Sequence, residues 1–132
     1  YTPFANYAEN NLDCCREMLL HEHTVPGLGD GGAHVGTICD ASFVTSLLTH
    51  WGRDRKRGDL IDLETLVRRQ SRDTAVAVGL DDRGELVPGK RADLNVIDFD
   101  ALRVRAPHIV HDLPAGGPRL QQQADGYLAT LV

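Results

Sequence analysis

Apolar positions Ala5, Ala8, Leu12, Cys15 and Leu19 recur at spacings of three and four, which predicts one buried stripe on an amphipathic helix from residue 4 to about residue 20. Cys14 and Cys15 then read as core or near-core thiols. Residues 24–30 are too short and too rich in Gly and Pro for a helix, and read as a brief buried strand running into a glycine-rich loop. Asp40 is placed to cap a following helix, whose Phe43, Val44, Leu47, Leu48 and Trp51 line one face. The basic cluster of Arg53, Arg55, Lys56 and Arg57 reads as its solvated end, where cations favour exposed carbonyls.

Asp62 is the predicted cap of the next helix, with Ile61 and Leu66 forming a hydrophobic staple across it. Ser71 is placed to cap a further short helix that closes at Gly79. Beyond Gly79 the period changes. Pro88 and Gly89 occupy the central positions of a type II turn, so residues 85–87 and 91–97 are expected to pair as strands. Residues 98–118 are punctuated by Pro and Gly, and a last strand is expected over residues 127–132.

Composition sharpens this picture. The chain has 132 residues and a formal charge of −5, and all of that excess lies in residues 1–66, with 10 acidic against 5 basic side chains. A basic nucleic-acid footprint is absent, and so is a polybasic membrane patch. No run approaches the ~18 apolar residues of a membrane span, and three cysteines without a CxxC suggest neither a disulfide scaffold nor a zinc ribbon. These features favour a cytoplasmic protein. The opening on Tyr1, Thr2 and Pro3 without Met points to a fragment of a longer chain.

Candidate chemistry concentrates in residues 27–36, Gly-Leu-Gly-Asp-Gly-Gly-Ala-His-Val-Gly, where Asp30 and His34 stand four apart among five glycines. A phosphate cradle is disfavoured, because His34 stands where the last Gly of GxGxxG belongs and Asp30 would repel a phosphate. Asp30 either ends a buried strand, presenting its carboxylate at the mouth of a sheet, or serves a turn. His21 and His23 form an HxH pair with no third ligand at a telling distance, which favours a polar helix end over a metal site. His50, His108 and His111 have no partner spacing. There is no GxSxG nucleophile elbow.

Residues 27–36, followed by Cys39, Asp40, Ala41 and Ser42 and by Leu48, Thr49, His50 and Trp51, resemble the N-acyl-D-amino-acid deacylase branch of the amidohydrolase superfamily. Residues 79–94, which contain the Val87-Pro88-Gly89-Lys90 turn, are similar to the element by which many amidohydrolases enter a small β-sandwich beside the barrel. The resemblance implies an α/β chain forming the C-terminal portion of a (β/α)8 metal-dependent hydrolase barrel, residues 1–80, followed by part of a β-sandwich, residues 81–132. Asp30 would end the eighth barrel strand as metal ligand or general base, and His34 would contact substrate. Zinc or another divalent metal is expected in the full-length parent and none in this piece alone, since the other ligands come from earlier strands.

The expected reaction is hydrolysis of the amide bond of an N-acyl (D-)amino acid by metal-activated water. The alternative is a non-catalytic barrel-derived fragment acting as a binding or oligomerisation module. The expected partners are the small-molecule substrate and, through apolar faces made for absent neighbours, further copies of the fragment. Neither nucleic acid nor membrane is expected.

Overall fold

The computed structural model describes residues 11–27 and 34–132. Helices come first: α1 (Asp13–Leu20), α2 (Phe43–Ser46), α3 (Leu63–Arg68) and α4 (Thr74–Ala77). α2 runs on into wider π-helical turns over Leu47–Asp54, and a second π-helical stretch, Arg69–Asp73, joins α3 to α4. Six strands follow: β1 (Leu94–Ile97), β2 (Arg103–Val104), β3 (His108–Leu113), β4 (Gly117–Gln121), β5 (Ala124–Asp125) and β6 (Tyr127–Leu131).

The predicted stripe on α1 faces inward. Leu12, Cys15 and Leu19 pack against a core of Leu47, Leu48, Trp51, Ile61, Leu66 and Leu102, while Ala5 and Ala8 lie outside the described residues. Leu102 is fully buried, and Ile97 and Phe99 close the cluster from the strand side. The cap at Asp62 forms as expected, its Oδ2 accepting the Thr65 N–H at 2.8 Å, with Ile61 and Leu66 both buried in that core. Gly79 closes α4 at φ +76°, and the N–H groups of Gly79 and Leu80 return to the carbonyls of Val76 and Ala75, a Schellman arrangement.

Four expectations are corrected. The helix expected from Asp40 begins at Phe43 with Ser42 in the cap position, and Asp40 supplies its carbonyl to the Phe43 N–H. Ser71 does not start a new helix. Its hydroxyl donates to the Val67 carbonyl at 2.6 Å and Thr74 donates to that of Gln70 at 2.9 Å, so the π-helical turns carry the helix through without a break.

The basic cluster after Asp54 is not merely a solvated end. Arg55 is buried, with its guanidinium 4.7 Å from the Trp51 ring centroid, and it donates to Asp13 and to the Arg57 carbonyl. Arg53 reaches across to the carbonyls of Phe99 and, at 2.7 Å, Leu102.

The fourth correction concerns the turn at Pro88 and Gly89. It forms, with Gly89 at φ +92° and the Lys90 N–H on the Val87 carbonyl, but the flanking residues do not pair with each other. Glu85 is held instead by Lys90 at 2.6 Å and Arg72 at 2.8 Å, and the Arg91 N–H goes to the Asp82 carbonyl. β1 takes β6 as its partner.

The strands nest. β1 pairs with β6, β2 with β5 and β3 with β4, all antiparallel, so residues 94–131 form one two-stranded ribbon interrupted twice and folded back at Pro114–Gly116. Residues 98–118 thus contain β2, β3 and the start of β4, which punctuation by Pro and Gly concealed. Where β5 passes into β6, Gly126 lies at φ +95° against the Leu102 backbone, and a Cβ there would sit 2.6 Å from the Leu102 Cα. Only glycine lets the ribbon approach the core so closely. Among the described residues there is neither a parallel strand pair nor a closed sheet, and where part of a sandwich was expected the strands form this ribbon. Of the strand expected over residues 24–30, the described part, 24–27, is irregular and the rest lies outside the described residues.

Asp125 ties the ribbon across its strands, accepting from Arg105 at 2.9 Å and from Arg103 at 2.7 Å. These two guanidinium groups, Arg105 foremost, hold its carboxyl down to about 2. A carboxyl depressed in the folded state stabilises fully above its unfolded value and loses that contribution as pH falls through the folded one. Comparing urea unfolding of the wild-type chain and Asp125→Asn from pH 7 downward, the wild-type advantage is expected to hold to about pH 4, then shrink and vanish near pH 2. A difference independent of pH would contradict it.

Candidate functional site

The glycine-rich segment is described on both of its flanks. Before it, Arg69 on the second π-helical stretch is buried and donates to the carbonyls of Thr24 at 2.5 Å and His21 at 2.8 Å. Asp73 lies 3.9 Å from its Nε. One guanidinium therefore fixes both the end of α1 and the stretch that leads into Gly27. Asp30, the candidate base, lies outside the described residues.

After the segment, His34 is exposed and opens a tight turn. Its carbonyl accepts the N–H groups of Thr37 at 2.8 Å and Ile38 at 3.0 Å, and the Thr37 hydroxyl at 3.1 Å. To make that turn the His34 backbone adopts φ +47°. This is the left-handed region, which costs an L-residue roughly 1–2 kcal/mol and which glycine enters freely. His34 thus takes a backbone conformation that glycine favours, in a stretch that already contains five glycines.

The turn is tied to the ribbon on its other side. The Leu120 N–H of β4 donates to the Val35 carbonyl at 2.8 Å, the Ser42 hydroxyl donates to the Gln122 side-chain carbonyl, and the Thr45 hydroxyl meets the Tyr127 hydroxyl at 2.8 Å. Sequence reading missed these ties. A backbone donor such as that of Leu120 leaves no mark in residue type, and Arg69 sits in an ordinary run of helical charges.

The remaining histidines stand elsewhere. His21 and His23 are exposed at the C-terminal end of α1, with ring centroids 5.5 Å apart and the His21 Nδ1 engaged by the His23 N–H. His50 stacks edge-on against Trp51 at 5.0 Å, and His108 and His111 are exposed on β3. Among the described residues no three His, Cys, Asp or Glu side chains converge as a metal site. The described part of the chain does not, by itself, fit a divalent ion.

The sequence profile of the amidohydrolase family matches residues 5–132. The chain belongs to the amidohydrolase family. A dihydroorotase from Desulforapulum autotrophicum is 47% identical over 49 residues, which cover 37% of this chain and 11% of that protein. This amidohydrolase chain thus spans about a tenth of the length of the curated relative it matches. No solved structure matches it. Members of the family typically use divalent metals, and among the described residues no helix is long and apolar enough to cross a membrane.

Glycine is normally the less stable choice than alanine, by about 0.4–1 kcal/mol, through the entropy of the unfolded chain. At residue 34 the order is expected to reverse, with His34→Gly more stable than His34→Ala by up to about 1 kcal/mol. Chemical denaturation of the two variants measures the difference. An alanine variant of equal or greater stability would show that the left-handed turn does not persist in solution.

Proposed function

We propose that this chain is the C-terminal portion of a metal-dependent amidohydrolase that hydrolyses the amide bond of N-acyl (D-)amino acids. The family match over residues 5–132 supports the amidohydrolase part of this reading, and the substrate rests on the resemblance of residues 27–36 to the N-acyl-D-amino-acid deacylase branch. The strained His34 turn supports it, because strain of this kind clusters at sites where a side chain is used. The division of the chain near residue 80 belongs to the same reading. The described α-helices all end before that point and the strands all begin after it, which supports that division.

In this reading Asp30 takes a proton from the attacking water. The water oxygen bonds to the amide carbon, the C–N bond breaks, and Asp30 returns the proton to the leaving amine. His34 orients the substrate at the same mouth. Zinc or another divalent metal belongs to the full-length parent, with its remaining ligands supplied by other segments.

The test is hydrolysis of N-acetyl-D-amino acids by the full-length parent, with and without Asp30→Ala. Loss of at least about a hundredfold in kcat is expected of a general base, and an alanine variant of full activity would sink the role of Asp30. A second reading rests on the dihydroorotase match, and dihydroorotate in the same assay separates the two. Turnover of dihydroorotate but of no N-acyl amino acid would transfer the assignment.

The isolated 132-residue chain is proposed to self-associate. Val76, Val78, Leu86, Ile109 and Leu128 are each more than half exposed, and two-stranded ribbons are marginal alone. Size-exclusion chromatography with light scattering is expected to give an oligomer, and a clean monomer at micromolar concentration would refute this.

A further inference from the structure

The ribbon touches the candidate site at one backbone position whose geometry is specific. In the β3–β4 ladder Leu120 stands opposite Ile109, and its N–H is spent on the Val35 carbonyl at 2.8 Å. In an antiparallel ladder the two members of a pair either exchange both hydrogen bonds or point both sets outward. Leu120 is therefore in an outward-pointing pair, and its N–H lies on the open edge of β4. Val35, the residue immediately after His34, is caught on that edge as a third strand would be.

We propose that β4 is the positioning strand of the candidate site, with the Leu120 N–H setting where the His34 turn stands. The mechanical logic lies in the bond chain. Val35 is fixed on β4 through its carbonyl, and the same turn is closed by Thr37 and Ile38 on the His34 carbonyl. His34, in its left-handed conformation, is held between those two fixed points. The Ser42 to Gln122 contact and the 2.8 Å Thr45 to Tyr127 contact brace the following segment on β6 and the end of β4. Gln122 is itself steadied by donating to the Arg105 carbonyl at 2.8 Å. A substrate gripped by His34 would thus be located by the ribbon. This inference rests on the reading of His34 as a substrate-contacting residue, and Leu120 acts through that residue without touching substrate.

Leu120→Pro removes this donor while leaving the β3–β4 ladder bonds in place, since proline is tolerated where an edge N–H points away from the partner strand. Leu120→Ala keeps the donor and shortens the side chain, so it controls for lost packing. In the full-length protein, amide hydrogen exchange at Thr37 and Ile38 is expected to accelerate by up to about tenfold in Leu120→Pro, the loss of one hydrogen bond, and not in Leu120→Ala. KM for an N-acetyl-D-amino acid is expected to rise several-fold in the proline variant, with kcat within about twofold, as for an interaction that positions bound substrate. His34→Ala is the reference: if it leaves KM unchanged, the substrate role of His34 fails, while the exchange data still judge the tie. Unchanged exchange at Thr37 and Ile38 in Leu120→Pro would overturn the proposal. If that variant does not fold, the wild-type Leu120 amide decides, because an unprotected amide in the folded protein equally overturns it.

Discussion

Three arginines brace the seams of this chain, and much of its described structure depends on how their donors are used. Arg69 ties the helical segment to the stretch leading into Gly27, Arg55 ties α1 to the first π-helical stretch, and Arg53 ties that stretch to the start of the ribbon. Each spends donors on carbonyl or carboxylate oxygens of a neighbouring element. The apolar core these arginines surround is small. Burying a leucine such as Leu66 or Leu102 contributes about 2 kcal/mol, and a hydrogen bond to a charged group contributes about 1.5–3 kcal/mol. The bracing is therefore of the same order as the core itself.

That balance explains why the two π-helical stretches matter. Leu47–Asp54 delivers Leu47, Leu48 and Trp51 to the core and Arg53 to the ribbon, with Arg55 immediately after it, and Arg69–Asp73 delivers Arg69 to the entrance of the glycine-rich segment. Wider helical turns of this kind recur at functional sites, where they re-aim side chains that a regular helix would place elsewhere. The ribbon then completes the enclosure. Gly126 lets it lie directly on the Leu102 backbone, and its β4 edge meets the turn that carries His34. Helices and ribbon thus hold opposite flanks of one short segment.

Features governed by local chemistry were legible in the sequence. The Asp62 cap, the staple of Ile61 and Leu66, the glycine close at Gly79 and the turn at Pro88 and Gly89 each depend on a few neighbouring residues, and each formed. Strand pairing was not legible, because β1 joins β6 across some thirty residues and short strands such as β2 and β5 carry almost no periodic signal. The inward arginines escape sequence for a related reason. A cluster of Arg and Lys at a helix end is usually solvated, and only the tertiary fold shows that Arg53 and Arg55 turn inward to carbonyls and to Trp51. At the candidate site, an Asp and a His among glycines drew attention to residues 27–36, and Asp30 lies outside the described residues. The strained backbone of His34 and the tie of the adjoining Val35 carbonyl to the Leu120 N–H are properties of conformation alone.

In the proposed function Asp30 and His34 serve one site, with Arg69 holding the stretch before it and β4 the turn after it. A crystal structure of the full-length protein with an N-acyl-D-amino acid bound, and with anomalous data collected at the zinc edge, tests it most directly. The expected result is the Asp30 carboxylate on the metal or joined to it by one water, the His34 ring against the bound substrate, and the Val35 carbonyl on the Leu120 N–H. Substrate and metal bound away from both side chains, with Asp30 merely capping a turn, would contradict it.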